Sequence, residues 1–376
     1  MEDVVQVLQD LVRMRSDESE MEVVSYLADR FTVAGIPFSI DEVEGAERPN
    51  IVAVLGEGEP SIMLNSHTDT VGIGDPDEWA HDPYGAEILD GRMYGRGTSD
   101  AKGPLSAMVA AVESVARNGR PRRGRLVLAA VACEETVGMG TEALVAGGLR
   151  TQAAVIGEPT SLDVMTAHKG VFRTNITVHG KAVHASEPWN GRNAVVEMQD
   201  VVAEIESLSG RIAERVDPLL GRASLAITLI AGGIARNVIP PSCTISIDRR
   251  FLPAEKADEV REEIRTALDA LGGRIDLSIE PVSVAESAAT GNDEPVVLNA
   301  LRARDIETGT RSTAKGFGAC CDMWHLKNTG GIPTVILGPG SLGQAHTVDE
   351  SIAVAELEQA VRIYRRIVLE WLSGGT

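Results

Sequence analysis

The feature that most constrains this chain is a set of short apolar runs with almost no polar interruption: "NIVAVLG" (50–56), "SIMLNS" (61–66), "RLVLAAVA" (125–132), "AAVIGE" (153–158) and "TVILG" (334–338). A strand that is apolar on both of its faces must be covered on both, and that is the signature of a parallel sheet flanked by helices. Helical patterns separate the runs. Val4, Val5, Leu8, Leu11 and Val12 recur at helical spacing, and a second helix is expected over 19–34. The Gly- and Arg-rich stretch "DGRMYGRGTSDAKG" (90–103) leads into "PLSAMVAAVESVARNG", "GTEALVAGG" reads as a short helix, and further helices begin near 295 and 353. The alternation predicts an α/β fold with a mainly parallel, doubly wound sheet.

From about residue 170 the pattern changes. "VFRTNITVHG" alternates like a half-exposed strand, "NAVVEMQDVVAEIESL" is helical, and "ASLAITLIAGG" and "CTISIDRRFL" are strands. "ADEVREEIRTALDAL" is a helix and "RIDLSIE" a last strand. This βαββαβ order resembles an α+β ferredoxin-like unit. At 376 residues the chain is too long for one ordinary domain. The expectation is a domain formed by 1–169 and 282–376, interrupted by an inserted domain over 170–281.

A net charge of −20 excludes nucleic acid and anionic membrane surfaces as partners, since both repel an acidic protein. The six lysines are few beside the arginines, which suits either a high-salt cytoplasm or a GC-rich genome. The start, "MEDVVQVLQDLVRMRSDES", lacks the basic, apolar and small-residue segments of a signal peptide. No apolar run approaches the roughly 20 residues that span a bilayer. Cys133, Cys243, Cys320 and Cys321 show no CxxC spacing, so a reduced cytoplasm is the expected location.

Polar groups gather where the apolar runs end. His67 and Asp69 follow the run 61–66, and Asp100 lies in the Gly-rich stretch. Glu134 and Glu135 follow 125–132, Glu158 ends 153–158, and His346 lies beyond 334–338. The carboxyl ends of parallel strands converge on one edge, where ligands bind. Taken alone, His67 and Asp69 could grip a metal, orient each other or form a structural pair. Together the residues make an N/O donor set suited to zinc or a similar divalent ion. They hold too many acids for one tetrahedral ion, and a carboxylate shared between two ions accounts for the excess. Without cations, that many carboxylates would repel and several would protonate.

The ordered stretches "HTDT", "GRGTSDAKG", "EETVG", "GEPT", "GKAVHASEPWNGRNA", "RNVIPPSCTISIDRRFLP" and "GPGSLGQAHTVDE" resemble the metallopeptidase and deacylase family that contains acetylornithine deacetylase, succinyl-diaminopimelate desuccinylase, carboxypeptidase G and the aminoacylases. The resemblance covers nearly the whole chain. It implies two divalent metal ions, most simply zinc, with cobalt or manganese as alternatives. On it, His67 and Glu158 are ligands of one ion, Glu135 and His346 of the other, and Asp100 bridges them. Asp69 becomes the carboxylate that orients the His67 ring, and Glu134 the general base. If the chain is extended there, Glu134 and Glu135 face opposite ways, so one can bind metal while the other faces water. His184 resembles the family's substrate-polarising histidine, and Asn237 with Arg250 its carboxylate-recognition set. His81, His168, His179 and His325 are read as structural or surface groups.

Two departures from the family pattern stand out. Cys133 occupies a position where members often carry Asp, and "GACCDMWHL" (318–326) replaces Thr-containing stretches that line the substrate pocket. The resemblance implies a two-metal amidohydrolase acting on N-acyl amino acids, the rivals being a metallo-exopeptidase (dipeptidase or carboxypeptidase) acting on short peptides and a metal-loaded binding protein without turnover. It also implies a homodimer formed through the inserted lid and dimerisation domain, with hinges near 169 and 282.

Overall fold

The computed structural model describes residues 4–43, 48–117, 123–136 and 138–374. The quoted stretches that run into 1–3, 118–119 and 137 lie partly outside them. The chain divides into two units: Met1–Thr166 with Ala289–Thr376, and Ala167–Ala288.

The centre of the first unit is a sheet in which Gly124–Val131, Ser61–His67, Ala153–Ile156 and Thr334–Ile336 lie side by side and run parallel. The edges are antiparallel. Pro49–Glu57 pairs antiparallel with Gly124–Val131, and Phe38–Glu42 pairs antiparallel with Pro49–Glu57. The run 50–56 therefore differs from the other apolar runs in direction. Only residues 58–60 link it to Ser61–His67, and a connection that short cannot carry the crossover that parallel strands need. Both faces of the parallel strands are covered, as their composition demands. Ile62, Leu64, Leu126, Leu128, Ala153 and Val155 join one core with the helices Val4–Arg13, Lys102–Arg117 and Val354–Leu372. The alternate residues Met63, Val127, Ala129, Ala154 and Ile156 are equally buried. On that face Asn65 Nδ2 donates to Thr141 Oγ1 in the helix Met139–Ala146, at 3.2 Å.

The second unit holds four antiparallel strands in the order Ser224–Gly232, Ser242–Phe251, Gly170–His179, Leu277–Ala285. Its helices, Ala194–Ile212 and Ala257–Asp269, pack on one face of this sheet. The strict alternation of "SCTISIDRRF" explains the asymmetry. Cys243, Ile245, Ile247 and Phe251 enter the core, while Ser246, Asp248 and Arg250 stand on the other face. Arg249 shares the inward parity. It is fully buried and donates to Glu255, which Arg215 also contacts at 2.6 Å.

The four cysteines form no disulfide. Among the described residues, no helix is long and apolar enough to cross a membrane.

Gly170 offers a test of the second core, because a Cβ there would lie 2.1 Å from the fully buried Phe251 ring. Gly170→Ala should cost about 1–3 kcal/mol by forcing this core apart. Chemical denaturation is the measurement, and wild-type stability in the variant would contradict the packing described.

Candidate metal centre

Each residue of the candidate site is delivered by the end of an element or by the loop after it. His67 is the last residue of the strand Ser61–His67, and Glu158 lies two residues beyond Ala153–Ile156. Asp100 precedes the helix Lys102–Arg117, and Glu134 and Glu135 follow Gly124–Val131. His346 sits in the loop after Thr334–Ile336. The fold brings these six together with Asp69.

His67 Nε2 lies 3.2 Å from Asp100 Oδ1 and 4.0 Å from Glu158 Oε1. His346 Nε2 lies 3.4 Å from Asp100 Oδ2 and 3.0 Å from Glu135 Oε2. Asp100 thus stands between the two imidazoles, one at each of its oxygens. Single donor atoms of His67, Asp100 and Glu135 fall within 4.8 Å of one another. His67, Asp69, Asp100 and Glu158 are buried, whereas Glu134 and Glu135 are half-buried and His346 is about half exposed.

The glutamate pair is not in extended chain. Residues 134–136 form a turn, entered through Cys133 at φ 62°. The reason is local: the N–H groups of Glu134 and Glu135 both donate to the Asp69 carboxylate, at 3.2 and 3.0 Å, and this bends the chain around it. The Asp69 carboxylate therefore holds the glutamate turn. His67 Nδ1 is 3.4 Å from Asp69 Oδ1 but 2.9 Å from the Asp69 carbonyl oxygen, so the main-chain carbonyl is its nearer partner.

The electrostatics show what the cluster lacks. Burial, then Glu158, His67, Asp322 and Glu135, set the Glu134 carboxyl, and the sum pushes it well up. Burial and Asp100 push Glu158 well up in the same way. Burial also raises Glu135, against the pull of His346. Although burial acts the other way, hydrogen bonds from His346 and His67 hold Asp100 below the usual carboxylate range. Burial would lower His67, yet Asp100 and Asp69 hold its imidazole well above the ordinary value. Hydrogen bonds to Asp100 and Glu135 lift His346 to about 10. Among the described residues, no Lys or Arg forms an ion pair with Asp100, Glu134, Glu135 or Glu158, and two imidazoles meet the acids instead. This donor set, two imidazoles and four carboxyls with no fixed cation, fits divalent metal.

Three neighbours escaped the sequence reading. Asp322 is buried and accepts from Thr141 Oγ1 at 2.6 Å, and burial pushes it to about 6. Lys102 is fully buried, donates to the Met14 carbonyl at 2.7 Å, and burial lowers it to about 7. Glu350 is also fully buried. Asp322 and Glu350 belong to stretches singled out for other residues, and nothing in their spacing marks them as internal.

The remaining sequence candidates lie in the second unit. His184 and Asn237 are neighbours, through a bridge from His184 to Val238 and a bond from the Ala185 N–H to the Asn237 carbonyl at 2.9 Å. The Ser186 N–H donates to His184 Nδ1 at 3.2 Å, and the Ser186 hydroxyl lies 2.7 Å from the same atom. That leaves Nε2 as the protonated nitrogen of the neutral ring. Arg250 is engaged within its own strand, with Nε 2.6 Å from Asp248 Oδ1 and Nη2 3.1 Å from Oδ2. Arg173 shares that carboxylate at 2.8 Å.

The profile described as "Peptidase family M20/M25/M40" matches residues 63–370. The chain is 30% identical over 364 residues to the acetylornithine deacetylase of Aliivibrio fischeri, covering 94% of this chain and 92% of that protein. It is 30% identical over 390 residues to the succinyl-diaminopimelate desuccinylase of Rhodospirillum centenum, covering 99% and 98%. An M20 family metallo-carboxypeptidase from Sulfolobus solfataricus has the same fold, with a TM-score of 0.84 at 16% identity, covering 99% of this chain and 100% of that one.

The cluster predicts an unusual pH response. In metal-free protein Glu134, Glu158, His67 and His346 all have their proton affinity raised above the ordinary value, so each favours its protonated form more in the folded than in the unfolded state. A folded state that binds more protons loses stability as pH rises. For His346 the contribution is complete below the unfolded value near 6.5 and is lost as pH climbs through about 10. Lys102, lowered to about 7, opposes this over the same window but is not one of the proposed metal ligands, so it weighs on both conditions alike. Between about pH 7 and 10, Tm should therefore fall more, or rise less, with chelator than with saturating Zn2+. Equal slopes in both conditions would refute the assignment.

Proposed function

The chain belongs to peptidase family M20/M25/M40, and from that premise we propose that it is a two-metal amidohydrolase that cleaves the amide bond of N-acyl amino acids. The observation that carries the proposal is Asp100, with one imidazole at each of its carboxylate oxygens and the half-buried Glu134 and Glu135 turned in beside it. His67 and Glu158 would hold one ion and Glu135 and His346 the other, with Asp100 shared. The ions, proposed to be zinc, would lower the pKa of a water and polarise the scissile carbonyl.

Glu134 takes the proton of the attacking water and returns it to the leaving amine. A carboxylate suits that exchange because it accepts a proton from the water and can give it up again to the amine. His184, with Nε2–H as donor, stabilises the developing oxyanion. Arg250 and Asn237 recognise the substrate carboxylate, for which a planar guanidinium is well shaped. On this reading the second unit is an inserted ferredoxin-like lid over 170–281, and its strand order supports that. It would also form a homodimer. Its edge strand exposes Leu229 and Ile230, and Ile234 follows in the adjoining loop, an apolar surface that a second copy would cover. The absence of a disulfide suits a reducing cytoplasm.

A hydrolysis screen of N-acetyl and N-succinyl amino acids beside dipeptides tests the reading. We expect at least tenfold higher kcat/KM on the acyl amino acids, and the reverse preference would make the protein an exopeptidase. Glu134→Ala should retain its metal and lose about a hundredfold or more in kcat. Glu135→Ala should lose metal first. Equal metal loss in both variants would remove the division of labour between them.

A further inference from the structure

Glu350 is fully buried, yet no substrate, metal or catalytic role falls to it. Its carboxylate sits where four donors converge. Oε1 accepts from the backbone N–H groups of Ser99 and Asp100, at 2.7 and 3.0 Å. Oε2 accepts from the Gly97 N–H at 3.0 Å and from Arg96 Nη1 at 2.8 Å. Successive backbone N–H groups aimed at one point make an anion-binding concavity, and here the anion belongs to the chain itself. Gly97, at φ 83°, supplies the left-handed residue that such a curve requires.

Two segments are tied together at this point. One is the loop 95–100, which ends in Asp100. The other is 346–351, which begins with His346, itself at φ 62°. The Gly95 N–H donates to the Glu350 carbonyl at 2.9 Å, and Arg96 Nη1 also reaches the Thr347 carbonyl at 3.2 Å. The Ser99 hydroxyl donates to the Ser351 carbonyl at 3.3 Å. The separation of Asp100 from His346 is therefore set through Glu350. His67 and Glu158 come from strand ends that these bonds do not touch.

We propose that Glu350 is a positioning residue that fixes Asp100 and His346 relative to each other, so that its loss weakens most the ion to which both belong and acts less on the ion of His67 and Glu158, which shares with that segment only Asp100. The inference rests on the two-ion reading above. Glu350→Gln is the informative change. The amide keeps one acceptor oxygen and turns an NH2 group toward donors that then lack a partner. Losses of this kind behind metal ligands typically cost ten- to a hundredfold in metal affinity.

The experiment titrates chelator-stripped protein with Zn2+ against a competing indicator, and reads the number of ions bound and the affinity of each. Metal-free thermal melts of every variant report folding. The wild type should bind two ions. Glu350→Gln should bind one with affinity within about threefold of wild type and lose about ten- to a hundredfold on the other. His346→Ala marks the pattern of losing that same ion. Glu350→Asp, which keeps the charge, should recover part of the loss. Wild-type affinity for both ions in Glu350→Gln overturns the proposal, and so does an equal loss of both. If Glu350→Gln does not fold, Arg96→Met is judged by the same criteria, with a smaller loss expected. A wild type that takes up a single ion overturns the two-ion reading itself, which a failure confined to the variants does not.

Discussion

Like-charged groups held close together and out of water are the constraint on which the rest of this structure depends. Two carboxylates about 4 Å apart repel by about 4 kcal/mol at an effective dielectric constant near 20. Asp100, Glu134, Glu135 and Glu158 face that repulsion together, with Asp322 adding to it. Without metal that repulsion raises the proton affinity of Glu134 and Glu158, and the acids in turn raise that of both imidazoles. The strands beneath are uniformly apolar because both of their faces are covered, and they give the polar ends a rigid base. Met63, Val127, Val131 and Ile156 are all fully buried or nearly so directly below the polar ends.

The carboxylates near the centre fall into two groups by what they touch. Asp100, Glu135 and Glu158 face imidazoles. Asp69, Glu20 and Glu350 differ in accepting from backbone N–H groups, besides the His67 ring, Arg48 and Arg96 that lie against them in turn. Asp69 receives Glu134 and Glu135, Glu20 receives Cys133 at 3.3 Å, and Glu350 receives Gly97, Ser99 and Asp100. Cys133 and His346 hold left-handed backbone conformations that non-glycine residues adopt at a cost of order 1–3 kcal/mol. Each lies in a segment fastened by one of these buried acceptors. The strain is tolerated because the surrounding hydrogen bonds over-determine the turn. A charged acceptor suits this task, since hydrogen bonds to an ionised group are roughly twice as strong as neutral ones.

This division also explains what could be read from the sequence. Residues that face the centre stand at the ends of apolar runs, where a polar side chain has no other reason to interrupt the pattern, so His67, Glu134, Glu135 and Glu158 were legible. Acceptors of backbone N–H groups leave no such mark. The donors are common to every residue, so Glu350 and the turn-holding role of Asp69 became visible only in three dimensions. Strand direction was hidden for a related reason. The run 50–56 is as apolar as its neighbours, and only the brevity of the link 58–60 betrays its reversal. In the second unit, reading "CTISIDRRFL" as a strand places successive residues on opposite faces. It could not say that the inward Arg249 would find Glu255, or that the outward Arg250 would find Asp248.

The Arg250 environment bears on how a substrate carboxylate could be read. Asp248 accepts from both Arg250 and Arg173, so two guanidiniums share one carboxylate and the group keeps a net positive charge. An isolated arginine on an open sheet face would lose much rotamer freedom when it captured a ligand. Here Asp248 has already fixed the plane of the Arg250 fork through Nε and Nη2, which lowers that entropic cost. The arrangement also limits the gain. A carboxylate arriving at Arg250 meets Asp248 nearby, and like-charge repulsion discriminates against any ligand that does not align with the remaining N–H groups. Recognition on the proposed reading thus depends on geometry more than on net charge. On that reading the fork would favour a carboxylate that aligns with the N–H groups Asp248 leaves available and disfavour one displaced along the strand.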